Sequence, residues 1–229
     1  MERLLATAME QVHYRQLEFE WSVISYARFV YPEEGWSNEY GERIDADSLV
    51  HKLIDAPLDH GPCNGLHRLE AMVVLWRADE ALGPASSHRE QRQRERRLER
   101  MLSHMQRIVQ LLATSQSDAG YWTRQWPSGT PPKIDAPVSL ADRILVTGHH
   151  LEWLAIAPPE LQVPEPILRR AAQWTARAIQ EVDDETLLEY YGPFSHAGRA
   201  LSLWRKEEPY QAWQRLTNGE SWKPEAPAK

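Results

Sequence analysis

Three histidines in this chain are each followed, three residues on, by an ionisable group: His67 by Glu70, His149 by Glu152, and His196 by Arg199. On a helix that spacing places both side chains in one neighbourhood of the surface. The surrounding text repeats too, as Gly65-Leu-His-Arg-Leu-Glu, Gly148-His-His-Leu-Glu-Trp and Phe194-Ser-His-Ala-Gly-Arg. Leu17-Glu-Phe-Glu-Trp21 is a fainter copy, in which Glu20 takes the place of the carboxylate. Distant segments that begin alike predict a repeated helical hairpin, with the repeated groups gathered at the inner-helix N-terminal rim of one cavity. Helix N-termini carry positive potential, which favours an anionic ligand there.

Glu152 is the sharpest case, because Leu151, Trp153, Leu154, Ala155 and Ile156 surround it. A carboxylate without a polar face to escape to must be paired, protonated, metal-bound or turned towards a wet cavity. With a raised pKa it would act as a general acid, and His149 or His67 would serve as its partner base, with Glu70 beside them. His150, His196, Arg199, Glu20, Trp153 and Trp122 are the expected ligand-binding groups around that pair, with Trp21 and Trp76 nearby. Cys63, His67 and His149 are acceptable zinc ligands by type, and Cys63 and His67 lie four residues apart. Zinc is therefore the candidate cofactor. No Cys-x-x-Cys or His-Glu-x-x-His signature accompanies these residues, so such a site depends on tertiary approach. The competing expectation is a non-catalytic helical scaffold, in which the same polar groups cross-link helices and the Trp-rich loops or the Arg89–Arg100 stretch contact protein partners.

The elements that must position these residues read as helices throughout. Apolar spacing predicts helical structure over residues 2–31, stopped by Pro32, and whether a break falls near Arg15 stays open. Asp45 caps a short helix carrying Leu49, Val50, Leu53 and Ile54. Asn64 is the expected cap of a helix from Gly65 to Leu82. Ser87 with Glu90 opens a long helix to about Ser115 whose first turns, Arg89–Arg97, lack apolar residues and should project into water. The stretch Val146–Ala157 reads as the start of an apolar helix, and Glu165–Val182 as an amphipathic one. Glu185–Tyr191 is closed by Gly192-Pro193, after which Ser195 caps the next helix through Trp204. About eight helices, no convincing strand, and alternation of one-sided with all-round apolar helices predict an all-α, two-layer fold. One domain, residues 1–219, is expected to carry it, followed by a polar, fraying tail over 220–229.

The chain has 229 residues and a formal net charge of −7, which gives no support to nucleic-acid or anionic-membrane binding. A single Cys excludes an internal disulfide framework, and the absence of a signal-peptide pattern or a spanning apolar run leads to the expectation of a soluble, cytoplasmic protein. Ten Trp against three Phe supply wide flat apolar area, suited to filling gaps between helices or to lining a cavity. A small molecule, carbohydrate or peptide is the partner class this composition allows.

Gln116-x-Asp118-x-Gly120-x-Trp122, placed after a long amphipathic helix, resembles the QW repeat of the terpenoid cyclase and prenyltransferase superfamily. The resemblance implies an α/α toroid, here a small or incomplete one of about four hairpins, and a turn that tucks a Trp beneath the neighbouring helix. The chain is also similar to uncharacterised bacterial proteins of that toroid type. It departs from the superfamily where chemistry is concerned. Ala119 intervenes before Gly120, and Asp45-Ala-Asp47-Ser48 lacks the final Asp of the class II cyclase acid motif. Gly61 stands where prenyltransferases have the Asp of Asp-x-Cys, and Cys63 is alone where lanthionine cyclases use two Cys. None of these activities carries over intact.

Overall fold

The structure, a computed structural model, describes residues 2–31, 35–133 and 137–219. The expected stop at Pro32 and the tail from Glu220 lie outside them. Among the described residues there are ten α-helices: α1 (Glu2–Gln11), α2 (Phe19–Phe29), α3 (Ala46–Asp55), α4 (Leu66–Glu80), α5 (His88–Ser115), α6 (Leu140–Ile156), α7 (Glu165–Gln180), α8 (Asp184–Glu189), α9 (Tyr191–Arg205) and α10 (Pro209–Thr217). Two short strands, β1 (Trp36–Ser37) and β2 (Arg43–Ile44), pair antiparallel with Trp36 opposite Ile44, a ribbon the sequence did not announce. The fold is all-α.

The helices sort by how much of their circumference is buried. In α4 and α6, eleven residues each are buried, of fifteen and seventeen, whereas α5 buries six of twenty-eight along one stripe. Helices apolar all round must touch protein on all sides, and they do. α4 packs against α2 and α6, and α6 packs against α9, so α2, α4, α6 and α9 form an inner row. α3, α5 and α7 cover it, with Met101, Met105, Ile108 and Leu112 of α5 fully buried beneath. Trp122, Trp126 and Trp153 fill the gap between the layers. Gln116 fastens the turn that ends α5, donating to the carbonyls of Gly120 and Ile167, and the Trp122 indole donates to the Leu112 carbonyl.

Three expectations need correction. The Arg-rich start of α5 does not simply project into water. Arg97 is 7 % exposed and spans Asp47, Asp79 and the Tyr31 hydroxyl, while Arg94 holds Asp79 from the other side. Asp79, fully buried at the end of α4, requires these partners, since an unpaired carboxylate there would be prohibitive. α6 starts at Leu140, capped by Ser139 accepting from the Asp142 amide, so His149 sits mid-helix. Pro193 lies inside the first turn of α9, where its missing N–H costs nothing, and the Ser195 hydroxyl donates to the Gly192 carbonyl instead of capping. His196 is therefore in the second turn of its helix, and only His67 is at a helix start.

α6 and α9 approach closely because Gly148 has no side chain. A Cβ there would meet the Ala197 nitrogen at 2.9 Å and its Cα at 3.0 Å. Gly198, on the same α9, has nothing within 4 Å of an added Cβ. Gly148→Ala should therefore force the two helices apart and destabilise the protein by roughly 1–3 kcal/mol, read as a lowered denaturation midpoint. Gly198→Ala should be neutral or raise it slightly. Equal midpoints for the two variants would contradict the close crossing.

Candidate functional site

The close crossing of α6 and α9 brings His149 beside His196, with ring centroids 3.8 Å apart. His67, entering from the first turn of α4, lies 4.9 Å from His149 and 5.8 Å from His196. Cys63 joins them from the turn before α4. That turn runs through left-handed backbone, with φ of 47° at Cys63, 59° at Asn64 and 71° at Gly65. Such conformations are uncommon for residues with a Cβ and persist where the surroundings impose them. Arg68 braces the segment leading into this turn by donating to the carbonyls of Ala56, Pro57 and His60, and the Asn64 amide donates to the Arg124 carbonyl. Asn64 is thus a tie to the neighbouring loop, and Gly65, not Asn64, is the N-cap of α4. A Cβ on Gly65 would lie 2.8 Å from the carbonyl oxygens of both His60 and Leu58, so that position admits only glycine.

Each imidazole is turned by a carboxylate. The Nδ1 of His67 meets Glu18 at 2.8 Å, and the Nδ1 atoms of His149 and His196 meet one oxygen of Glu152 at 2.9 and 3.1 Å. Arg199 completes the set, its Nη1 donating to Glu70 at 2.8 Å and to Glu152 at 3.0 Å. Burial by itself would push the Glu152 carboxyl up, but the hydrogen bonds from His149 and His196 outweigh it and bring it down to about 2. The expected general acid with a raised pKa is therefore an ionised carboxylate. Burial pushes His149 down to about 4 against the pull of Glu152, so its ring is neutral at ordinary pH. A neutral ring that donates Nδ1–H to a carboxylate carries its lone pair on Nε2. The Nε2 atoms of His67 and His149 are buried and have no hydrogen-bond partner among the described residues.

Cys63, His67, His149 and His196 each offer one ligand atom, and these atoms all lie within 4.8 Å of one another. A tetrahedral zinc shell with bonds of about 2.0–2.3 Å needs ligand atoms roughly 3.3–3.8 Å apart, within reach of small side-chain rotations. Burial, followed by the charge of Glu18, pushes the Cys63 thiol up, so a metal would have to displace its proton.

Other expected site residues face elsewhere. His150, next to His149, points to a different side of α6, where Trp153 donates to its Nδ1 at 3.1 Å and the rings of Trp122 and Trp126 pack edge-on against it. His150, Trp122 and Trp153 are therefore core and not part of the cluster. Trp76 is buried core as well. Glu20 pairs with Arg68 at 3.7 Å and does not reach the histidines. Glu18, the residue that does, is the one the sequence reading passed over. The Leu-Glu pair that aligns the other repeats recurs at Leu17-Glu18, and that was the available signal. Trp21 does lie at the cluster, its ring 5.0 Å from His67.

The direction of the His149 shift sets a pH dependence. An unfolded chain takes up that proton near the ordinary value of 6.5, whereas the folded one resists it until about 4. Metal-free protein should hold its stability above pH 6.5 and lose it between there and pH 4. His149 contributes on the order of 3 kcal/mol, and buried His150 and half-buried His104, also pushed down by burial, add to the loss. Urea denaturation across that range measures it, and His149→Gln should flatten the slope. A wild-type midpoint independent of pH would mean that the ring is charged and has no free lone pair.

No family model, no curated protein and no solved structure matches this chain. What it does must be read from its own side chains.

Proposed function

We propose that this is a metal-binding protein, holding one divalent transition ion, with zinc the best fit, between Cys63, His67, His149 and His196. The observation that carries this reading is that Cys63, His67, His149 and His196 each bring a ligand atom within 4.8 Å of the others, while the Nε2 atoms of His67 and His149 are buried with no partner among the described residues. Two buried nitrogens without a partner have lost their water, a cost of roughly 1–3 kcal/mol each that a bound electrophile would reverse. Three imidazoles and one thiolate suit zinc by ligand type, and carboxylates behind Nδ1 make each imidazole a stronger donor and fix its tautomer. Glu18 and Glu152 stand in those places.

The inner row of α2, α4, α6 and α9 is compatible with a small or incomplete α/α toroid, and the metal would sit where its helices meet. Whether the ion serves a reaction on a small molecule, a carbohydrate or a peptide follows from this reading only as a question of access. Among the described residues no helix is long and apolar enough to cross a membrane.

Elemental analysis of the chain purified without chelators, then reloaded with zinc, tests the proposal. The expected result is about one zinc per chain and a raised melting temperature, corresponding to roughly 2.7 kcal/mol of added stability at one hundred times the dissociation constant. His149→Ala and Cys63→Ser should each weaken retention at least tenfold. Protein that takes up no metal, and melts alike with and without it, would overturn the reading and leave the polar groups as cross-links between helices.

A further inference from the structure

The four groups of the cluster are unequally enclosed. His67 and His149 are buried, whereas Cys63 is half-buried and the side chain of His196 is 23 % exposed. Around that accessible half stand Trp21, 41 % exposed against His67, and Arg199, whose side chain is 48 % exposed. Structural zinc sites fill all four positions with protein ligands, and catalytic ones keep a position for an exchangeable ligand. Here four protein ligands are at hand, but Cys63 and His196 are solvent-accessible, so a further ligand would enter beside them as a fifth or in place of one.

Arg199 is built for more than pairing. Its Nη1 alone serves both Glu70 and Glu152, and its Nε and Nη2 have no partner among the described residues. Two buried carboxylates thus hold one edge of the guanidinium fixed and leave further N–H donors presented to solvent. A planar, immobilised guanidinium edge matches the two oxygens of a carboxylate or phosphate. Arg199 lies one helical turn from His196, so it and the accessible ligand share a face of α9. Beside it, the second oxygen of Glu70 is buried and has no partner among the described residues.

Resting on the metal-site reading, we propose that the centre accepts an additional, exchangeable ligand on its Cys63–His196 side, and that this ligand is the oxyanion group of a small carboxylate- or phosphate-bearing substrate gripped by Arg199. Because Glu18, Glu70 and Glu152 offset the charges of the ion and Arg199, an entering oxyanion would be held by direct coordination and by the unpaired N–H donors of Arg199, not by net charge. Arg199 adds a second anchor, and the flat face of Trp21 offers an apolar wall for the substrate's body. Polarisation of the bound oxyanion by the ion is the chemistry such an arrangement would supply.

Cobalt(II) reports the outcome optically. The chain is loaded with cobalt in place of zinc, and a thiolate-to-cobalt charge-transfer band establishes the metal site before any ligand is added. Inorganic phosphate and, separately, acetate are then titrated against a chloride control of equal ionic strength. The expected result is a saturable change in the ligand-field bands with one of the two probes, the charge-transfer band persisting; the probe that binds assigns the oxyanion as phosphate or carboxylate. Arg199→Lys keeps a positive charge on Glu70 and Glu152 but lacks the planar edge, and should weaken the probe roughly tenfold or more at unchanged cobalt stoichiometry. Ligand-field bands that ignore both probes would overturn the open centre while leaving the metal site standing. Saturation equally tight in Arg199→Lys would overturn the anchor. Absence of the charge-transfer band would instead sink the metal reading itself.

Discussion

The arrangement depends on one buried charge. Glu152 sits within the continuously buried stretch of α6 from Ile144 to Leu154, fully screened from solvent. A carboxylate in that position is tolerated only if every lone pair finds a donor. Three groups on two helices supply those donors: His149 from its own helix, His196 and Arg199 from α9. Arg199 carries the link on to Glu70 of α4. The carboxylate therefore fixes where α9 lies against α6, ties both to α4, and determines that two imidazoles present Nε2 and not Nδ1 to the space between them.

Fold and site are consequently the same construction seen at two scales. The bare backbone of Gly148 lets α9 come near enough for its histidine to share a carboxylate with α6, and the left-handed turn after the segment braced by Arg68 swings Cys63 in from the far side. Each device costs something: a buried charge, a strained turn, two desolvated lone pairs. Such expenditures gathered at one point mark functional positions more often than structural ones. An ion bound there would offset all three, because it neutralises charge, ties down the turn and fills the lone pairs.

Much of this was legible beforehand. The spacing of a His from an ionisable group three residues on located His67, His149 and His196, and the apolar ring around Glu152 showed that it needed partners. The spacing could not say which of His149 and His150 turns towards the cluster. α6 is apolar around its whole circumference, so no polar face orients it, and adjacent helical residues point about 100° apart. Nor could it show that α6 begins near Leu140, since Asp142 and Arg143 interrupt the apolar run just where the capping Ser139 stands. The Arg-rich start of α5 misled for a related reason: the partner that draws Arg97 inward, Asp79, belongs to another helix and is invisible in local pattern. Local periodicity foretells which faces are apolar, whereas pairing across helices is decided by tertiary approach.

The central claim is that three nitrogens and one sulfur converge on a single ion. X-ray absorption at the zinc edge of the reconstituted chain reads that shell directly. A shell of three nitrogen scatterers at about 2.0–2.1 Å and one sulfur at about 2.3 Å, the sulfur lost in Cys63→Ser, is the predicted result. A bound zinc surrounded only by oxygen and nitrogen, with no sulfur and no imidazole outer-shell scattering, would contradict it.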